Sequence, residues 1–179
     1  CFRTPTDEPP VSCFVMMRHP INRVISCYAF FHADEAAVRP FVTLAFDEQV
    51  AMATKCGENL ALKYLGGDPP YYRDDGFREM QAPNLRHGSI DVAKQTLDKC
   101  VVGITERWEE SLDNFNYYFP WVWKKDQTGV HEKLTHHAAQ DDLPAATRAA
   151  MIDVLSVDTE LYEYALQKFE EQNACRSSA

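Results

Sequence analysis

Several features are missing from this chain of 179 residues, and each absence excludes a class of protein. No apolar stretch approaches the roughly 20 residues needed to span a bilayer, and no signal peptide is visible. No two cysteines have Cys-x-x-Cys spacing, which argues against a zinc site. There is no basic excess: 18 Lys and Arg against 27 Asp and Glu give a formal charge of −9. That balance argues against general nucleic-acid binding, which needs a basic face, but leaves room for one local anion pocket. A Gly-x-x-x-x-Gly-Lys-Ser/Thr loop is absent, which counts against a small nucleotide kinase. Internal repeats and low-complexity segments are absent too. The chain opens on Cys-Phe-Arg-Thr-Pro without an initiator Met, so a mature product or a fragment of a longer protein is expected.

What is present fits a globular domain. An apolar fraction of 45% is ordinary, and the length suits one domain over residues 1–179 with a proper core. The acidic residues spread along helices read as a solvated surface. Of the six cysteines, Cys13, Cys27 and Cys100 lie inside apolar runs and read as small buried hydrophobes. Cys1, Cys56 and Cys175 are the better disulfide candidates in an oxidising compartment, with no pairing legible.

Residues 1–10 are polar and Pro-rich, an entry loop. The short apolar run 11–17 reads as a buried strand. Pro20 suits a first helical position, and Ile21, Val24, Ile25, Tyr28 and Phe31 recur at helical spacing as core. Further helices are expected over 43–54 and over 59–65, the latter closed by Gly66-Gly67. Residues 68–87 read as a long irregular segment. Ser89 is expected to cap a helix through Lys99. Val101 to Ile104 reads as a second buried strand. Thr105 should cap a helix with Trp108, Leu112, Phe115 and Phe119 on its apolar face. Residues 120–142 look like loop, Pro144 starts another helix, and Asp158 caps a last one through Gln172. Two buried strands, each followed by a helix, predict an α/β fold with a parallel sheet flanked by helices. Two strands alone do not make a stable sheet, so further strands are unrecognised or lie before Cys1.

The run Arg18-His-Pro-Ile-Asn-Arg-Val-Ile-Ser26 crosses from the first strand into the first helix. Ligands of open parallel sheets gather beyond the carboxyl ends of the strands, where Arg18 sits. The helix start offers N–H groups and partial positive charge to an anion. Arg18 adds a planar fork for two phosphate oxygens, and Ser26, about two helical turns on, adds a hydroxyl. Asn22 and Arg23 could line the same pocket. The plainer reading is a turn with Arg18 salt-bridged at the surface and Ser26 a tolerated polar residue.

Arg18-His19-Pro20, Arg23, Ser26 and Tyr28 together resemble the 3′-phosphate-binding element of the Golgi carbohydrate sulfotransferases, whose usual form is Arg-Asp-Pro-x-x-Arg-x-x-Ser-x-Tyr. The departure is His19 for Asp. Val102-Gly-Ile-Thr-Glu-Arg-Trp-Glu-Glu-Ser-Leu112 resembles the family's Val-Gly-x-Thr-Glu segment, and Asp158-Thr-Glu-Leu-Tyr-Glu-Tyr-Ala165 its closing helix. The three blocks occur in family order and span most of residues 11–172.

The resemblance implies a P-loop-NTPase-like sulfotransferase fold, N-terminally incomplete. It implies transfer of a sulfuryl group from 3′-phosphoadenosine 5′-phosphosulfate to a carbohydrate hydroxyl, without a metal. Arg18 and Ser26 would hold the 3′-phosphate, with Arg23 and Lys133 as further cofactor-binding residues. Lys133, with His136 and His137, lies where the family often folds a loop over the nucleotide; a solvated loop is the plainer reading. The implied partner is a glycan acceptor, the implied place the Golgi lumen, and any membrane anchor would lie upstream. The family's loop for the 5′-phosphosulfate precedes the Arg-x-Pro element, and the 17 residues before Arg18 do not contain it. The family's usual base, a His or Glu, also tends to lie there. The alternative is therefore a non-catalytic nucleotide- or glycan-binding module with a degenerate form of the same fold. His32 and His87 are general-base candidates by residue type alone. Tyr71, Tyr72 and Arg73 could touch a sugar but more simply anchor a loop. Glu106 reads as first-turn helix charge.

Overall fold

A computed structural model describes residues 13–57, 60–66, 89–120 and 139–178. Over these residues the protein is mostly helical around one small parallel sheet. Strand β1 (Phe14–Met17) pairs with β2 (Val101–Ile104) in the register Phe14↔Val101 through Met17↔Ile104. Between them run α1 (Pro20–Phe31), α2 (Ala33–Val38), α3 (Phe46–Gly57), α4 (Leu60–Leu65) and α5 (Ile90–Lys99). After β2 come α6 (Trp108–Tyr118), α7 (Ala145–Val154) and α8 (Ser156–Ser177).

Strand alternation decides which helices cover which face. Val15, Met17, Val102 and Ile104 point one way and pack with Leu97 of α5 and Leu161, Ala165 and Phe169 of α8. Met16 and Val101 point the other way, against Leu112 and Phe115 of α6. Gly103 shares that second face, where a Cβ would stand 2.8 Å from Phe115 Cζ, so the glycine lets α6 lie on the strand. A third cluster joins α1, α3 and α7 through Ile21, Val24, Tyr28, Ala53, Met151 and Leu155.

The two edges of the sheet differ. In a parallel strand the N–H and C=O of alternate residues point to the same side. On the outer side of β2 four of these groups are met by side chains. Gln172 accepts from Val102 N–H at 2.9 Å and donates to Cys100 C=O at 3.0 Å. Ser111 Oγ accepts from Ile104 N–H at 2.8 Å and donates toward Ile104 C=O at 3.0 Å. No strand pairs with the outer side of β1 among the described residues.

Disulfides correct the cysteine reading. Cys13 is bonded to Cys100, clamping the starts of the two strands, and Cys27 is bonded to Cys56, clamping α1 to α3. Cys175 is disulfide-bonded as well. An apolar setting suits a half-cystine as well as a thiol, so burial in an apolar run did not separate the two.

Other expectations shift by local chemistry. Phe31 ends the predicted core stripe yet is 74% exposed, because α1 outruns the helices that cover it. The helix expected over 43–54 is a 3-10 turn (Phe41–Thr43), an extended Leu44, and then α3. Thr105 does not cap α6: it opens a 3-10 turn (Thr105–Arg107), and its hydroxyl donates to Met17 C=O at 3.0 Å. Asp158 does not cap its own helix, which starts at Ser156 and continues to Ser177. It caps α4 from outside, accepting from Leu60 N–H at 3.0 Å and Ala61 N–H at 2.8 Å. Ser89 accepts from Val92 N–H at the start of α5 as expected.

Candidate functional site

Parallel pairing puts the carboxyl ends of β1 and β2 side by side, and the polar residues that follow each strand meet there. Arg18 and His19 follow β1; Thr105 and Glu106 follow β2. His19 is the N-cap of α1, its Nδ1 accepting from Ile21 N–H at 3.3 Å, with Pro20 in the first helical position. An N-cap Asp would supply the same acceptor, which explains how His19 serves in its place.

Glu106 joins the two strand ends. Its Oε1 accepts from His19 N–H at 3.0 Å and from Asn22 Nδ2 at 2.9 Å. Its Oε2 faces the Tyr162 hydroxyl of α8 at 3.5 Å. Asn22 Oδ1 in turn accepts from Gln140 N–H at 2.9 Å, bringing in the 3-10 turn Gln140–Asp142. The His19 and Tyr162 rings meet edge to face at 5.2 Å.

The electrostatics follow from partial burial. Burial lowers the His19 pKa, and the opposing charges of Glu106, Asp141 and Glu163 do not reverse it. A neutral ring is what the cap requires, since Nδ1 must accept. Burial first, then the charge of Glu106, pushes the Tyr162 hydroxyl up to about 12, so it stays a donor.

These contacts overturn one expectation. The N-terminus of α1 does not offer a free row of N–H groups to an anion. His19 N–H is taken by Glu106, Ile21 N–H by the His19 ring, and Pro20 has none.

The named side chains divide. Arg18 and Ser26 are half-buried, and among the described residues neither has a hydrogen-bond or ion-pair partner. Ser26 follows Asn22 by four positions, on the same flank of α1. Arg23 belongs elsewhere. Its guanidinium bonds Asp158 at 2.6 Å and Gly57 C=O at 2.7 Å, and the Asp158 carboxylate is fully buried. Arg23 is thus a structural tie between α1, α3 and α8. Tyr28 donates from the core to Arg39 C=O at 2.9 Å, and His32 stacks on its ring. Lys133, His136, His137, His87, Tyr71, Tyr72 and Arg73 lie outside the described residues.

Reasoning from sequence took Glu106 as first-turn helix charge and not as a link between the strand ends. A signal for it existed: it stands just past the end of β2, as Arg18 does past β1, and parallel strands bring such positions together. Among the described residues no group of His, Cys, Asp and Glu is placed to hold a metal ion, and no helix is long and apolar enough to cross a membrane. No family model, curated protein or solved structure matches the chain.

Proposed function

We propose that this chain carries the 3′-phosphate half of the donor site of a carbohydrate sulfotransferase with a P-loop-NTPase-like fold. The observation that carries the reading is Arg18: half-buried, without a counter-charge among the described residues, at the end of a parallel strand and eight positions before an unpartnered Ser26. A guanidinium held that way is poorly solvated and gains when an anion arrives. The order of the three resembling blocks adds to this, and the disulfides suit an oxidising lumen such as that of the Golgi.

3′-Phosphoadenosine 5′-phosphosulfate would supply the activated sulfuryl group, and a glycan hydroxyl would accept it. Arg18 would pair with the 3′-phosphate and Ser26 would donate to another of its oxygens; both position the donor. Lys133 would add charge from the segment after α6. None of these roles needs a metal.

The test is calorimetric titration of adenosine 3′,5′-bisphosphate into the full-length protein and its Arg18→Ala variant. Loss of a charged hydrogen-bonding partner should weaken binding by about tenfold or more. Equal affinity would remove Arg18 from the site.

One observation favours a second reading, a binding module without turnover. His19 uses Nδ1 on its helix cap, and both Glu106 oxygens face hydrogen-bond donors, so neither stands ready as a general base. Sulfuryl transfer to a glycan by the full-length protein separates the two: turnover rejects the module.

A further inference from the structure

We infer that the seam between α6 and α8 binds a water molecule that joins Asn114 to the outer edge of β2. The inference stands independently of the anion site. Asn114 is fully buried, and neither its Oδ1 nor its Nδ2 has a hydrogen-bond partner among the described residues. It lies three positions after Ser111 and four before Tyr118, so the three share one flank of α6. Ser111 bonds both groups of Ile104 on the outer edge of β2, and the Tyr118 hydroxyl donates to Gln172 C=O on α8. That flank therefore sets Asn114 between the strand edge and α8.

The same seam has other polar groups to satisfy. Gln172 takes Val102 N–H, and Val102 C=O points to the same outer side, where no described side chain donates to it. Asn173 Nδ2 and Arg176 Nε are buried without an acceptor among the described residues, although Arg176 also pairs with Asp113 at 2.9 Å across the seam. Donors thus come from Asn114, Asn173 and Arg176, and acceptors from Asn114 and Val102. An anion would face the two carbonyls and the Asp113 carboxylate, and a cation would face Arg176. A molecule that both donates and accepts suits the mixture. The burial of Asn114 and Val102 limits it to a small one, and water in protein interiors makes about three such bonds. An amide buried with both atoms unmet costs more than a made bond gains, so the bridge is favoured.

A high-resolution crystal structure of the full-length protein should show density for water within about 3.2 Å of an Asn114 amide atom. Absence of water within that distance of both atoms would overturn the inference. In solution, the Asn114 side-chain amide protons should give an NMR cross-peak to long-lived bound water; its absence would overturn the inference too.

Asn114→Leu keeps the side chain close in size and removes its donor and acceptor. With a bridging water, the substitution strips the water of its anchor and leaves Val102 C=O unmet, so the thermal midpoint should fall by about 5 °C. With no bridge, it removes an unmet buried amide. A midpoint that rises, or stays within about 1 °C, therefore rejects the water. Should Asn114→Leu not fold, the density and the cross-peak in the unaltered protein decide.

Discussion

Arg18 and Arg23 belong to the same short run, yet the two arginines live in opposite surroundings. Around Arg23 the charge is balanced from within: a buried carboxylate, a helix-end carbonyl and a disulfide four positions on tie α1 to α3, α4 and α8. Around Arg18 nothing among the described residues balances the charge. A fold that needs a cation gives it a partner. One that keeps a half-buried cation without a partner derives no evident stability from it, and a ligand role becomes the economical account.

The sharpest way to break the contrast is at Asp158. Asp158→Ala leaves Arg23 unpaired and two N–H groups of α4 unmet, and should lower unfolding free energy by about 3–5 kcal/mol in chemical denaturation. Asp158→Asn keeps acceptors for α4 and should cost less. A midpoint unmoved by Asp158→Ala would make the Arg23 region as open as the other.

Next in size is the Cys27–Cys56 disulfide on the same side, with a sequence separation of 29. Replacing both cysteines by Ala should lower stability by about 3–4 kcal/mol, the loop-closure value for that span. His19 gives a smaller, pH-dependent effect. Its pKa is lowered in the fold from the usual 6.5, so the unfolded chain binds a proton more readily than the native one. This contribution is complete above the unfolded value and is lost as pH falls through the folded one. An NMR titration of His19 should have its midpoint below 6.5. A midpoint above it would mean that the carboxylates outweigh burial.

The smallest change is expected at Arg18. Arg18→Ala should alter stability by no more than about 0.5 kcal/mol while weakening adenosine 3′,5′-bisphosphate. A large stability loss would show that Arg18 is a structural arginine like Arg23.

Periodicity made the backbone of this fold legible. β1, β2 and most of the α1 stripe are where apolar spacing puts them, because those residues pack on the elements next to them. Lateral bonds left no local trace. Asp158 reaches Arg23 across 135 positions and Cys13 reaches Cys100 across 87, and neither residue type announces its partner. The short helix α2 has no buried residue, and so carried no apolar signal to read. At the candidate site, Arg18 and Ser26 were recognisable by type and spacing. The state of the α1 N-terminus was not, since the carboxylate that occupies it comes from 87 positions away.

The closed side of β2 has a consequence for self-association. Strand-to-strand polymerisation needs two free edges, one to receive a neighbour and one to present to the next. With Gln172 and Ser111 bonded to Val102 N–H, Cys100 C=O and both groups of Ile104, a neighbouring strand finds these positions on β2 already taken. The same two side chains that complete the core thus oppose strand addition along the outer side of β2.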